Sequence, residues 1–229
     1  MVVIVSGRGL SFVMLELFYR LPKNVIRIFS GRNLGGHALA IALTMIIVGS
    51  GLDWSYYLAT RDLIFIRLAF PAVVLGGVVP LWGILAILLF GAIRKNQRVI
   101  TTAWAVGQAA LLGWLISSSY KAFTGRRPPP FWGYVQVSHP PDTSHGFQLG
   151  WLKGGVFWGW PSSHTTVAFA MAACLITLHP RNKTFVGLGV SVTIHWFSES
   201  GAGGIFGGLI ETVVGKSFVN RLINPAQSR

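Results

Sequence analysis

Three short stretches carry residue types suited to group-transfer chemistry. The first is Lys121 to Pro128, K-A-F-T-G-R-R-P, which places Lys121, Arg126 and Arg127 close together. Arginine offers a planar fork to phosphate oxygens and lysine a point charge, although cations that follow a membrane span also serve as headgroup anchors. The second is Trp160 to Thr166, W-P-S-S-H-T-T, with Ser162, Ser163 and His164 ahead of an apolar run. A helix starting there points backbone N–H groups and the positive end of its dipole at an anion. Pro-Ser-Ser is also an ordinary N-cap, so the two uses stand side by side. The third stretch is His195 to Glu199, a pair four residues apart that shares a face if helical. The carboxylate can then hold one ring nitrogen as N–H and leave the other free as a nucleophile, the alternative being a structural hydrogen bond at a helix end. His164 supplies a second imidazole, placed either to protonate a leaving oxygen or to serve as a cap.

Taken together, the catalytic candidates are His195, His164 and Glu199, and the phosphate-binding candidates are Lys121, Arg126, Arg127, Ser162 and Ser163. Two imidazoles, a carboxylate and a knot of cations suit phosphoryl transfer through a phosphohistidine. That chemistry calls for no metal and no cofactor. His139, Asp142 and His145 form another donor set with metal-ligand residue types, but the prolines between them favour a solvated turn.

The elements that must position these residues belong to a membrane protein. Of 229 residues 52% are hydrophobic and 11% charged, and the mean hydropathy is +0.58. This is too apolar for an ordinary soluble domain. The expected class is therefore all-α, a polytopic membrane bundle forming one domain over residues 1–229. A single cysteine, Cys174, lies in an apolar run, which excludes a disulfide framework and implies a buried, inert thiol. The net charge of +13 comes from 19 basic residues scattered between apolar runs, with no aromatic-studded basic stripe. Lipid headgroups, and not nucleic acid, are the implied partner. Nothing in the sequence sets the oligomeric state.

Residues 1–32 lack a signal-peptide pattern and read as a basic amphipathic segment on the membrane surface. About six spans follow: His37 to Leu52, Leu68 to Ile93 with Pro71 and Pro80 inside it, Ile100 to Ser118, Thr165 to Leu178, Phe185 to Phe197, and a core at Gly203 to Gly215. Gly203, Gly204, Gly207 and Gly208 give overlapping small-xxx-small pairs for close helix approach. The stretch from Ser119 to Ser162 is too long for a mere connection, so it is expected to be a functional loop. Trp132, Trp151, Trp158 and Trp160 within it read as interfacial anchors.

Counting Lys and Arg on alternate sides of six spans puts thirteen on the side of the N-terminus and six on the other. The positive-inside rule then places both termini in the cytoplasm of a plasma (bacterial inner) membrane and the long loop outside. A hairpin of the fourth and fifth spans would bring His164 and His195 to that exterior edge, beside the cations that follow the third span.

The three clusters resemble the signature of the type 2 phosphatidic acid phosphatase superfamily. Its pattern is Lys, six residues, Arg-Pro; then Pro-Ser-Gly-His; then Ser-Arg, five residues, His, three residues, Asp. Here the first is one residue shorter, Ser163 replaces the Gly, Glu199 stands for the Asp, and Leu188 and Gly189 occupy the Ser-Arg positions. The resemblance implies that His195 attacks phosphorus, Glu199 orients it, His164 protonates the leaving group, and Lys121, Arg127 and Ser162 hold the phosphate; proximity in the sequence alone offers Arg126 as a replacement for the absent arginine. It also implies a lipid phosphatase acting on isoprenyl pyrophosphate, phosphatidic acid, phosphatidylglycerol phosphate or a lipid A type substrate at the periplasmic face. A lipid-binding relative without chemistry and a lipid phosphotransferase are the alternatives.

Overall fold

A computed structural model describes residues 16–61, 63–130, 141–180 and 195–223. Among these every regular element is helical. The helices are α1 (Leu21–Ile28), α2 (Asn33–Gly49), α3 (Leu52–Thr60), α4 (Leu63–Val78), a π-helical turn (Val79–Gly83), α5 (Ile84–Ile93), α6 (Gln97–Thr124), α7 (Ser163–Leu178) and α8 (Phe197–Ile223). Such apolar segments form helices because each must pair its backbone N–H and C=O groups within itself where water is absent. Among the described residues three helices are long and apolar enough to cross a membrane: Val74–Ile93, Gln97–Thr124 and Phe197–Val219. The bent pair of α1 and α2 makes a fourth if it counts as one span.

Several element bounds differ from the sequence reading. The second apolar run is helical from Leu63 to Ile93, and it widens to a π-turn around Pro80. Proline has no N–H to give and its ring crowds the preceding turn, so a wider turn accommodates it. The third run continues past Ser118 to Thr124, so Lys121 lies in the last turn of α6 and the loop starts at Gly125. Residues 185–194 of the expected fifth span lie outside the described residues. Phe197, expected to close that span, instead opens α8, which absorbs the Gly203–Gly215 core with its flanks. Residues 1–15 of the N-terminal segment also lie outside the description. Its described helix α1 exposes Lys23 and Arg27 and buries Asn24 and Ile28 in the bundle.

The order of contacts fixes the topology. Helices α6 and α7 are antiparallel: Ser117 Oγ donates to Ser163 Oγ at 2.9 Å near one end, and Thr102 Oγ1 lies 3.0 Å from His179 Nε2 at the other. Helices α7 and α8 are parallel, since Gly203 packs on Thr165 and Thr166, Gly207 on Phe169 and Ala170, and Gly215 on Thr177. A Cβ on Gly207 would sit 2.5 Å from the Phe169 Cβ and 2.8 Å from the Ala170 nitrogen. Only glycine lets the backbones approach this closely. Helix α2 runs antiparallel to α8, with Gly36 against Leu209 and His37 beside Phe206.

Small and branched residues fill the space between α6, α7 and α8, among them Ala105, Ala109, Leu112, Val167, Ala170, Cys174, Ile210 and Val214. Cys174 is fully buried, as expected. The α4–α5 leg is peripheral, leaving Phe70, Leu75, Trp82, Leu89 and Ile93 exposed to what would be lipid. A polar knot closes the end of the bundle that holds the C-terminal part of α8. There Asn24 Nδ2 donates to Gln108 Oε1 at 2.7 Å, Gln108 Nε2 donates to the carbonyls of Leu17 and Tyr19, and Ser217 Oγ donates to Asn24 Oδ1 at 2.7 Å. Each side chain in the knot has a partner, as burial demands.

Candidate active site

At the opposite end of the bundle, the C-terminus of α6 and the N-termini of α7 and α8 meet. Parallel packing of α7 on α8 sets His164 beside His195, with ring centroids 5.9 Å apart and planes at 47°. An attacking group sits about 3–3.5 Å from the atom it attacks, so a phosphorus between two imidazoles calls for a separation of this order.

His195 precedes α8 and Glu199 lies in its first turn, so the pair is not within one helix as the spacing suggested. The bond is nevertheless made: His195 Nδ1 lies 2.9 Å from Glu199 Oε2. An ionised carboxylate only accepts, so Nδ1 carries the proton and Nε2 bears the lone pair. Among the described residues, His195 Nε2 is buried with no hydrogen-bond partner, and Glu199 Oε1 is likewise without a hydrogen bond. A buried ring nitrogen left unpartnered is costly in a purely structural histidine.

His164 lies in the first turn of α7, ahead of the apolar stretch, with its ring against Gly76 of α4. Burial, then the neighbouring His195, then the charge of Lys121 lower its pKa to about 4. Ser162 is the N-cap: its Oγ accepts from the Thr165 N–H at 3.3 Å and the Thr165 hydroxyl at 3.0 Å, and its own N–H donates to the Glu199 carbonyl at 3.1 Å. The cap thus ties the start of α7 to the turn that carries the carboxylate. Ser163 accepts from Ser117 and keeps its own hydroxyl proton to donate.

The cations separate. Lys121 is buried in the last turn of α6, where its Nζ donates to the Phe157 carbonyl at 3.0 Å. Arg127 is exposed and lines a surface hollow of about 220 Å³ with Pro128, Gln148, Gly154 and Trp158. Its carbonyl accepts from Trp196 Nε1 at 2.8 Å, which fixes the loop against the residue next to His195. Arg126 does not take the place expected of a phosphate ligand. It is completely buried, with Nη2 2.7 Å from Asp53 Oδ2, Nη1 donating to Ser198 Oγ at 2.8 Å and Nε to the Ser144 carbonyl at 3.0 Å. Its guanidinium carbon lies 4.7 Å from the centroid of the Phe147 ring and 5.2 Å from that of Trp196.

Asp53 and Ser198 were missed as site residues in the sequence. The signal was Asp53 itself, one of only six acidic residues and set just past the end of the first apolar run. Tyr57 is buried, with its hydroxyl on the Pro130 carbonyl at 2.8 Å. Trp160, expected at the interface, is also buried, and its Nε1 donates to Thr44 Oγ1 at 2.7 Å. Trp151 and Trp158 are exposed, while Trp132 and His139 lie outside the described residues. Asp142 Oδ1 accepts from the Ser144 N–H at 2.8 Å, shaping the turn that presents the Ser144 carbonyl to Arg126.

No family model matches the chain. Neither does any curated protein or any solved structure. The functional reading therefore rests on the site and on the motifs.

Proposed function

We propose that this protein is an integral membrane lipid phosphatase that hydrolyses a lipid phosphate or pyrophosphate through a phosphohistidine. The observation that carries the reading is the buried Nε2 of His195, unpartnered among the described residues, whose other nitrogen is pinned by Glu199 and whose neighbour is a second imidazole. The His195 Nε2 lone pair attacks phosphorus, the P–O bond to the lipid breaks, and the departing oxygen takes a proton from His164. His164 then removes a proton from water, the resulting hydroxide attacks phosphorus, and the P–N bond breaks with its electron pair returning to Nε2. Lys121, Arg127, Ser162, Ser163 and the start of α7 supply the positive field for the phosphate. In this reading the chain is a six-span protein of the phosphatidic acid phosphatase type, with its site at the periplasmic face of the inner membrane and both termini cytoplasmic.

The experiment is phosphate release by the purified chain from a panel of lipid phosphates and pyrophosphates. Wild type is expected to release phosphate from at least one member, and His195→Ala and His164→Ala are expected to abolish release. Equal turnover in His195→Ala would sink the mechanism.

The commitment of Arg126 to internal partners favours a second reading, a relative that binds lipid phosphate without chemistry. Binding without release by wild type from every member of the panel would select it. Label passing from one lipid to another would select a phosphotransferase.

A further inference from the structure

Deepening that reading, and resting on it for the identity of the nucleophile, we propose that Asp53 is a positioning residue that holds Arg126 and Ser198 so that Glu199 is reserved for His195. Asp53 is fully buried at the start of α3, and its described bonds run to Ser198 at the start of α8 and to Arg126 just past the end of α6. Oδ2 accepts from Arg126 Nη2 at 2.7 Å and from Ser198 Oγ at 2.6 Å, and Oδ1 accepts from the Ser198 N–H at 2.8 Å. Ser198 precedes Glu199 in the chain, so Asp53 grips the backbone of the turn that carries the general carboxylate.

Charge explains why the grip matters. Arg126 stands between two buried carboxylates, bonded to Asp53 and 3.7 Å from Glu199 Oε1, beyond hydrogen-bond distance. Asp53 thus satisfies the guanidinium, and the full accepting strength of Glu199 is left to the Nδ1–H of His195. Without the Asp53 charge, Glu199 is the one carboxylate among the described residues within reach of the guanidinium. The guanidinium would turn to the Oε1 of Glu199 and, by drawing on the carboxylate's negative charge, weaken the bond that Oε2 makes to His195. The proton on His195 would then be shared between its two nitrogens, and the fraction of rings with a free Nε2 would fall. A buried ion pair contributes little net stability against well-packed apolar groups, so a positioning role explains its presence better than stability does.

The test uses the full chain in detergent, with ¹⁵N-labelled histidine and the His195 signals assigned by their loss in His195→Gln. Wild type is expected to show a single tautomer with the proton on Nδ1, and Asp53→Asn a mixture. Asp53→Asn/Arg126→Gln, which removes the competitor as well, is expected to return the ring toward the wild-type tautomer. Removing an outer-shell partner of a metal-bound imidazole typically costs about 10- to 100-fold; a loss of that order in kcat for phosphate release is expected in Asp53→Asn, with KM nearly constant. An unchanged tautomer in folded Asp53→Asn overturns the proposal. Should Asp53→Asn fail to fold, Ser198→Ala decides: it removes the hydroxyl that Asp53 orients as acceptor for Arg126 Nη1, the guanidinium atom 3.7 Å from Glu199 Oε1, and so frees that atom to turn to Glu199; an unchanged tautomer there overturns the proposal equally. A shifted tautomer with no phosphate release by wild type upholds the Asp53 coupling and sinks the phosphatase reading instead.

Discussion

At neutral pH the His164 ring is uncharged and lacks the second proton a general acid gives up, because burial, His195 and Lys121 together hold its pKa down to about 4. A general acid must be charged when the leaving oxygen departs, so the charge has to come with the substrate. A bound phosphate anion beside the ring favours the imidazolium and raises that pKa. Binding a phosphate mimic is therefore expected to draw a proton from solution. Calorimetry of orthovanadate binding near neutral pH, in buffers of different ionisation enthalpy, should show proton uptake by wild type and much less by His164→Gln. Equal uptake by the two would remove His164 from the role. His164 and His195 were legible in the sequence because their type and spacing announce the chemistry. The place of Arg126 was not, because a motif gives the identity of a side chain and not the direction in which it points. Asp53, some seventy residues before Arg126, becomes its partner only through the fold.

Helices α7 and α8 set the distance between the two imidazoles, and the interface that sets it is glycine-built. Gly203 and Gly207 face α7, whereas Gly208 has nothing within 4 Å of the position a Cβ would take. Gly207→Val should force the helices apart against Phe169 and Ala170, at a cost of about 1–3 kcal/mol as overpacking goes. It should also lower activity by moving His164 from His195. Gly208→Ala should leave both melting temperature and activity near wild type. Thermal unfolding in detergent, read beside phosphate release, checks the pair; equal effects of the two substitutions would contradict the packing. Small-residue spacing revealed that a close helix contact exists. It could not say which of the overlapping pairs makes it, since that depends on the rotation of α8 about its axis. Span ends were misplaced for a similar reason. Hydropathy marks where apolar residues stop, but α6 carries Lys121 one turn further, with its charge met by the Phe157 carbonyl.

Across the whole molecule, basic residues and site residues divide between the two ends of the bundle. Arg94, Lys95 and Arg98 lie at the start of α6 and Lys216 and Arg221 near the end of α8, while Lys121, Arg126 and Arg127 lie at the far end of α6 beside the histidines. At about 1.5 Å per residue the 28 residues of α6 measure roughly 42 Å, enough to carry the two groups to opposite sides of a bilayer. If the more basic end is cytoplasmic, the site opens outward and its lipid must present phosphate to the outer leaflet. Buried, inert Cys174 makes the test simple, since Cys174→Ala gives a background free of cysteine. In that background Trp151→Cys, on the exposed loop beside the site, should react with a membrane-impermeant maleimide in intact cells. Lys95→Cys, exposed in the α5–α6 turn, should react only after the membrane is opened. Reversed labelling would turn the molecule over and move the substrate to the inner leaflet. Labelling of both positions from one side would mean that α6 does not cross the membrane, and the placement of a phosphate site at one water boundary would fall with it.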